Sequence, residues 1–250
     1  MIIDSSVILI LATFLLAGLV KGIIGLGLPT VSLAILTLIF DLPSAMVLLL
    51  VPSFVTNLWQ ALSGDNARLI LRRSWPFLLA AMLSIWIGAQ ALRHIELSLL
   101  SALLGALLAA YAIASLSGLR FTISRRQAGW AGPLLGSVNG VLTGMTGSFV
   151  VPGVIYLQAL GFDRDALVQA MGMLFALSTL ALALALKRID LLNLEQGILS
   201  TLALLPAIAG MMLGRRIRSR ISEPRFRKIF FTSLLALAAY IIMVALGECG

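Results

Sequence analysis

One charged side chain lies inside an apolar stretch of this 250-residue chain, and it is a lysine. Lys21 sits in the run Gly18-Leu-Val-Lys21-Gly22-Ile-Ile-Gly25-Leu-Gly27-Leu-Pro29. A second run, Gly140-Val-Leu-Thr143-Gly144-Met-Thr146-Gly147-Ser148, has Asn139 just before it and Pro152 shortly after. An ammonium among apolar residues is costly and faces a cavity or a partner. Hydroxyl and amide donors near an interrupted helix can ligate oxyanion oxygens without a full positive charge. The exposed N–H groups of a broken helix add a positive partial charge. The chemistry that these types could do together is the holding of a small anion.

The two runs are related. Gly18 maps to Gly140, Gly22 to Gly144, Gly25 to Gly147 and Asp41 to Asp163, each 122 residues on. Four matches at one offset point to a duplicated unit, and a broken helix in corresponding positions of two halves points to a transporter's binding site. Glycine also lets membrane helices pack closely, and Gly18-Gly22 and Gly140-Gly144 have that four-residue spacing. Both readings stay open for the glycines.

Positioning these residues is a task for membrane helices. The chain is 60% hydrophobic and 11% charged, with a mean hydropathy of +1.08. A soluble domain carries about 25% charged residues. Apolar segments run over 5–21, 27–40, 44–63, 74–93, 97–118, 129–143, 147–160, 166–187, 195–214 and 228–247. The first has no basic residue before it and no small-residue cleavage pattern after it, so it reads as a membrane segment and not as a signal peptide.

Basic residues orient the chain. Arg68, Arg72 and Arg73 mark one cytoplasmic loop; Arg120, Arg125 and Arg126 mark the next. Arg215, Arg216, Arg218, Arg220, Arg225, Arg227 and Lys228 mark a third. Segments 5–21 with 27–40, and 129–143 with 147–160, then form hairpins that enter from opposite sides. Both termini are expected outside. Of the 18 Lys and Arg residues, 14 fall inside, three outside and Lys21 within a segment. The expected fold class is an all-α membrane protein: an inverted repeat of two five-segment halves, 1–118 and 119–250. Each half would be a glycine-broken helical hairpin plus three transmembrane helices.

The candidate substrate-binding residues are Lys21, Gly22, Gly25, Gly27, Asn57, Asn139, Thr143, Gly144, Thr146, Gly147 and Ser148. For Lys21 the alternative is snorkelling of its ammonium to the cytoplasmic surface. For the hydroxyls it is a bond to their own helix carbonyls. For Asn57, on the 44–63 segment with Thr56 and Gln60, it is glue between helices. On 166–187 the corresponding residues are Gln169, Ser178 and Thr179. Asp41 and Asp163 precede long helices and read as N-caps. Apart from Glu195 at the very start of one segment, no His, Cys, Asp or Glu lies within the spans, which removes an intramembrane enzyme and an acidic proton relay. The single Cys249 excludes an internal disulfide, and no Cys/His cluster suggests a metal. The net charge of +8 belongs to loops and not to a nucleic-acid face.

At Lys21–Pro29, Gly140–Gly147 and Pro152 the chain resembles the sulfite exporter TauE/SafE family over nearly its whole length. Many members carry denser glycine runs at both breaks; here leucine, serine and phenylalanine interrupt them. The resemblance implies transport of a sulfur-containing anion such as sulfite, sulfoacetate or another organosulfonate, with no cofactor. The expected function is a secondary transporter or facilitator in the bacterial cytoplasmic (inner) membrane, exporting by alternating access between the two broken hairpins. The alternative is a non-transporting scaffold or assembly protein. Expected partners are the small anionic substrate and membrane lipids, with a homodimer left open and no nucleic acid.

Overall fold

The computed structural model describes residues 5–118, 121–218, 220 and 222–247. Arg120, Cys249 and both chain ends, whose external placement the charge pattern suggests, lie outside the described residues. The described residues form ten α-helices and no strand. In order they are α1 (Ser5–Ile24), α2 (Leu28–Leu36), α3 (Leu42–Leu62), α4 (Ala67–Gln90), α5 (Leu97–Leu116), α6 (Arg125–Thr146), α7 (Gly153–Ala159), α8 (Arg164–Arg188), α9 (Leu194–Arg218) and α10 (Glu223–Gly247).

Seven helices are long and apolar enough to cross a membrane: α1, α3, α4, α5, α8, α9 and α10. About 20 residues suffice for the hydrocarbon layer. The protein is therefore a multi-pass membrane protein. Helix α6 has the length but is poorer in apolar residues, with Arg, Gln, Asn and five glycines. The two short helices correct the expected segments. The stretch 27–40 is helical only over the nine residues of α2, and 147–160 only over the seven of α7. At 1.5 Å per residue these reach about 13 and 10 Å, well short of a crossing. Hydropathy registers depth in lipid and not backbone shape, so an apolar but non-helical stretch reads like a helix. Helices α4, α6 and α9 instead extend beyond their apolar segments into the basic loops.

Sequence-local chemistry sets several of these ends. Asp41 caps α3, accepting from the Ser44 N–H at 2.7 Å. Asp163 caps α8 in the same way, accepting from the Ala166 N–H at 2.8 Å. Ser124 and Gln127 form a reciprocal capping box at the start of α6, which satisfies two orphan donors at once. Helix α2 opens on Gly27 in the left-handed conformation, with Pro29 in its first turn, where the missing N–H costs nothing.

The helices pack in defined pairs. Helix α1 lies along α9, α6 along α4, α3 along α8, and α5 along α10; α3 also meets α9, and α4 meets α8. The first two pairs are parallel and backbone-tight. A Cβ added to Gly18 would collide with the Ala207 carbonyl oxygen, one on Gly22 with that of Met211, one on Gly140 with that of Ala81 and one on Gly144 with that of Ile85. The partner glycines reciprocate: Gly210 abuts Leu15, Gly214 abuts Leu19 and Gly88 abuts Val141. Close approach of this kind replaces the hydrophobic driving force that is missing between helices in lipid. Helices α3 and α8 run antiparallel, since Ser53 meets Thr179 while Gly172 meets Asn57 and Ala61. They are the most buried of the spans.

Candidate functional site

Lys21 lies in the last turn of α1 and is only 3% exposed. Its ammonium points inward and does not snorkel. Nζ donates to Thr56 Oγ1 at 3.1 Å and to Asn57 Oδ1, both on α3. Asn57 Nδ2 in turn donates to Ser53 Oγ at 3.0 Å. Ser53 Oγ stands 3.3 Å from Thr179 Oγ1 on α8. The Thr179 hydroxyl proton is committed to the Phe175 carbonyl at 2.6 Å, so Ser53 is the donor to Thr179. Thr56 likewise gives its proton to the Pro52 carbonyl at 2.7 Å.

The result is a row of hydrogen bonds in which every donor points away from Lys21. The acceptor end of each dipole faces the ammonium, and such aligned chains polarise one another. The row stabilises a positive charge without neutralising it. Lys21 is the only charged side chain among the buried described residues. Among the described residues its partners are the two neutral oxygens, and no carboxylate is among them. An ammonium has three N–H donors, so one remains for a further acceptor.

Helix α3, which presents Thr56 and Asn57, has Pro52 in its interior. Pro52 has no N–H, so the Leu48 carbonyl has no helical donor. The Ser200 hydroxyl of α9 fills that place at 2.8 Å and accepts from the Val51 N–H at 3.1 Å. Gln169 of α8 clamps the other end of α3, donating to the Ala61 and Gly64 carbonyls at 2.9 Å each and accepting from the Asn66 N–H at 3.0 Å. Gln60 donates to the Val168 carbonyl at 2.6 Å. These two glutamines join helices and do not line the Lys21 site.

The second break is tied to itself. Gly147 ends α6 in the left-handed conformation, with φ of +73°. The Thr143 hydroxyl donates to the Ser148 carbonyl at 2.9 Å. Thr146 donates to the Leu142 carbonyl at 2.7 Å and accepts from the Ser148 N–H at 3.2 Å. Asn139 Oδ1 accepts from Gly153 N–H at 2.9 Å, which pins the start of α7 to α6. Its Nδ2, and the Ser178 hydroxyl of α8, are buried and have no hydrogen-bond partner among the described residues.

The candidate residues thus divide by role. Gly25, Gly27 and Gly147 hold positive φ and make the breaks, as only glycine does without strain. Gly22 and Gly144 are inside helices, in contact with α9 and α4, so they pack and do not break. Lys21 and Asn57 share one site. Thr143, Thr146, Ser148 and Asn139 lie at the other break, and among the described residues no hydrogen bond joins the two groups. Ser53 was not signalled by charge or repeat, although it sits one turn before Asn57 on the same face.

Three cavities lie apart from Lys21. One of about 520 Å³ is bounded by Tyr111, Ser115, Gln158, Phe162 and Arg227. A second, about 300 Å³ and apolar, lies between α1, α2 and α10, and a third, about 290 Å³, lies between α3, α4 and α8. The Lys21 side chain itself is buried. Taken as a whole, the chain matches the model of the family described as Sulfite exporter TauE/SafE over residues 10–241. No curated protein and no solved structure matches it.

Proposed function

The chain belongs to the sulfite exporter TauE/SafE family, and from that premise we propose that it is a secondary transporter or facilitator. Its substrate is a small sulfur-containing anion, namely sulfite, sulfoacetate or another organosulfonate. It is moved outward across a bacterial cytoplasmic membrane. The observation that carries this reading is the buried Lys21 ammonium, held by neutral oxygens and without a carboxylate. A buried cation left unpaired costs several kcal/mol, and an arriving anion relieves that cost. A scaffold has no use for such a charge, and the site offers no nucleophile paired with a base for an enzyme.

The mechanism is alternating access between inverted halves, 1–118 and 119–250. Three packing facts support the repeat. Exchanging each helix with the one five places on converts the α1–α9 pair into α6–α4 and the α3–α9 pair into α8–α4. The α3–α8 and α5–α10 pairs map onto themselves. Both self-mapped pairs are antiparallel, as an axis in the membrane plane requires. In this scheme Lys21 binds the anion on one side of that axis. Asn139, Thr143, Thr146 and Ser148 offer the less charged half-site on the other. The basic loops lie in the cytoplasm and both termini outside.

Reconstitution in liposomes tests the reading. Purified protein should move sulfite or a sulfonate. Lys21→Met should slow this by at least about tenfold, as loss of a charge-assisted bond of roughly 1.5–3 kcal/mol would give. Arg93→Ala, at an external turn, should leave the rate unchanged. Equal rates for the two variants would remove Lys21 from the site.

A further inference from the structure

The charge inventory around Lys21 bears on which anion fits. The ammonium is the one buried charge among the described residues, and its neighbours Thr56, Asn57, Ser53 and Thr179 are all neutral. Other charges on the elements packed around it sit at helix ends, in the exposed class. They are Asp41 at the start of α3, Asp163, Arg164, Asp165, Lys187 and Arg188 on α8, Glu195, Arg216 and Arg218 on α9, and Arg225, Arg227 and Lys228 on α10. Arg215, at the end of α9, is within electrostatic reach of Lys21, but it too is exposed. Exposed charges are screened by water and salt.

The interior therefore holds one uncompensated positive charge. A monoanion on the third N–H brings the site to neutrality. A dianion would leave one negative charge buried without a counter-ion, with the same kind of penalty as the empty site. Asn57 decides this, because it occupies the place beside Nζ where a carboxylate would serve as an internal counter-ion.

We infer that the Lys21 site selects its substrate by charge: it takes monoanions of sulfonate or hydrogensulfite type and rejects dianions such as sulfate, fully ionised sulfite and sulfoacetate, which narrows the proposed substrates to hydrogensulfite and the singly charged sulfonates. This rests on the transport reading for the identity of the site, but binding tests it separately. Methanesulfonate and sulfate are tetrahedral oxyanions of similar size that differ in charge. In a thermal-shift titration of the purified full chain at matched ionic strength, methanesulfonate should raise the melting temperature with saturation. Sulfate should need at least about tenfold higher concentration for the same shift, equivalent to 1.4 kcal/mol. Asn57→Asp keeps the shape and the acceptor for Lys21 but supplies the negative charge. It should weaken the methanesulfonate response by at least about tenfold.

Sulfate binding as well as methanesulfonate in the wild-type protein would overturn the inference, and so would no response to either anion. An undiminished response in a folded Asn57→Asp would also overturn it. The wild-type comparison stands whether or not that variant folds. Selective binding of methanesulfonate with no flux in liposomes would defeat the transport reading and uphold the charge rule.

Discussion

At Ser178 a polar atom stands isolated. Its hydroxyl is buried on α8 without a hydrogen-bond partner among the described residues, one residue before Thr179, which completes the row from Lys21. Leaving a buried hydroxyl unsatisfied costs roughly 1–3 kcal/mol. Ser178→Ala should therefore leave the melting temperature unchanged or raise it slightly, as fluorescence-monitored unfolding would record. A fall in flux without a fall in stability would put this hydroxyl on the anion's path. A loss of stability would mean that it already has a partner. Lys21 was legible from sequence because a charge in an apolar run carries its own signal. Ser53 and Thr179 were harder to assign because a hydroxyl in a membrane helix has a local alternative, a bond to its own backbone. Thr146 shows that alternative realised at the second break, whereas Thr143 reaches across the break to the Ser148 carbonyl.

Helices add a different constraint, since the site sits on α3 one turn after its internal Pro52. Ser200 of α9 serves two backbone groups beside that proline, the Leu48 carbonyl and the Val51 N–H. Ser200→Ala should cost about 1–3 kcal/mol of stability through these unmet groups. Pro52→Ala restores the N–H that Leu48 lacks, so in that background the cost should shrink. A double-mutant cycle in urea or heat reads the coupling. Additive losses would show that Ser200 acts independently of the proline. The glycines teach a related lesson at this scale. All six matched glycines look alike in sequence, yet Gly18, Gly22, Gly140 and Gly144 press helix backbones together, while Gly25 and Gly147 turn the chain. A missing side chain permits both roles, and spacing alone does not separate them. The caps at Asp41 and Asp163 were readable because an acid before a long helix has one prevailing local use.

For the whole molecule, the decisive quantity is how its charge changes when the anion leaves. In the proposed cycle the loaded site is neutral, Lys21 being matched by one monoanion. The empty site carries the ammonium unneutralised, buried against two neutral oxygens. The loaded carrier then reorients without moving net charge through the membrane field, and the empty carrier returns with one positive charge. With the inside negative, that return is pulled inward and each cycle expels one negative charge. A potential of 100 mV supplies about 2.3 kcal/mol per charge, enough for a roughly fiftyfold gradient at equilibrium. Net efflux of methanesulfonate from liposomes should accelerate when a potassium diffusion potential makes the interior negative. One-for-one exchange of methanesulfonate, which uses only the neutral loaded form, should keep its rate. Equal acceleration of both modes would mean that charge moves with the loaded carrier, and the assignment of Lys21 as a single counter-charge would fail. If neither mode responds, a co-transported ion balances the cycle and the potential is not its driving force.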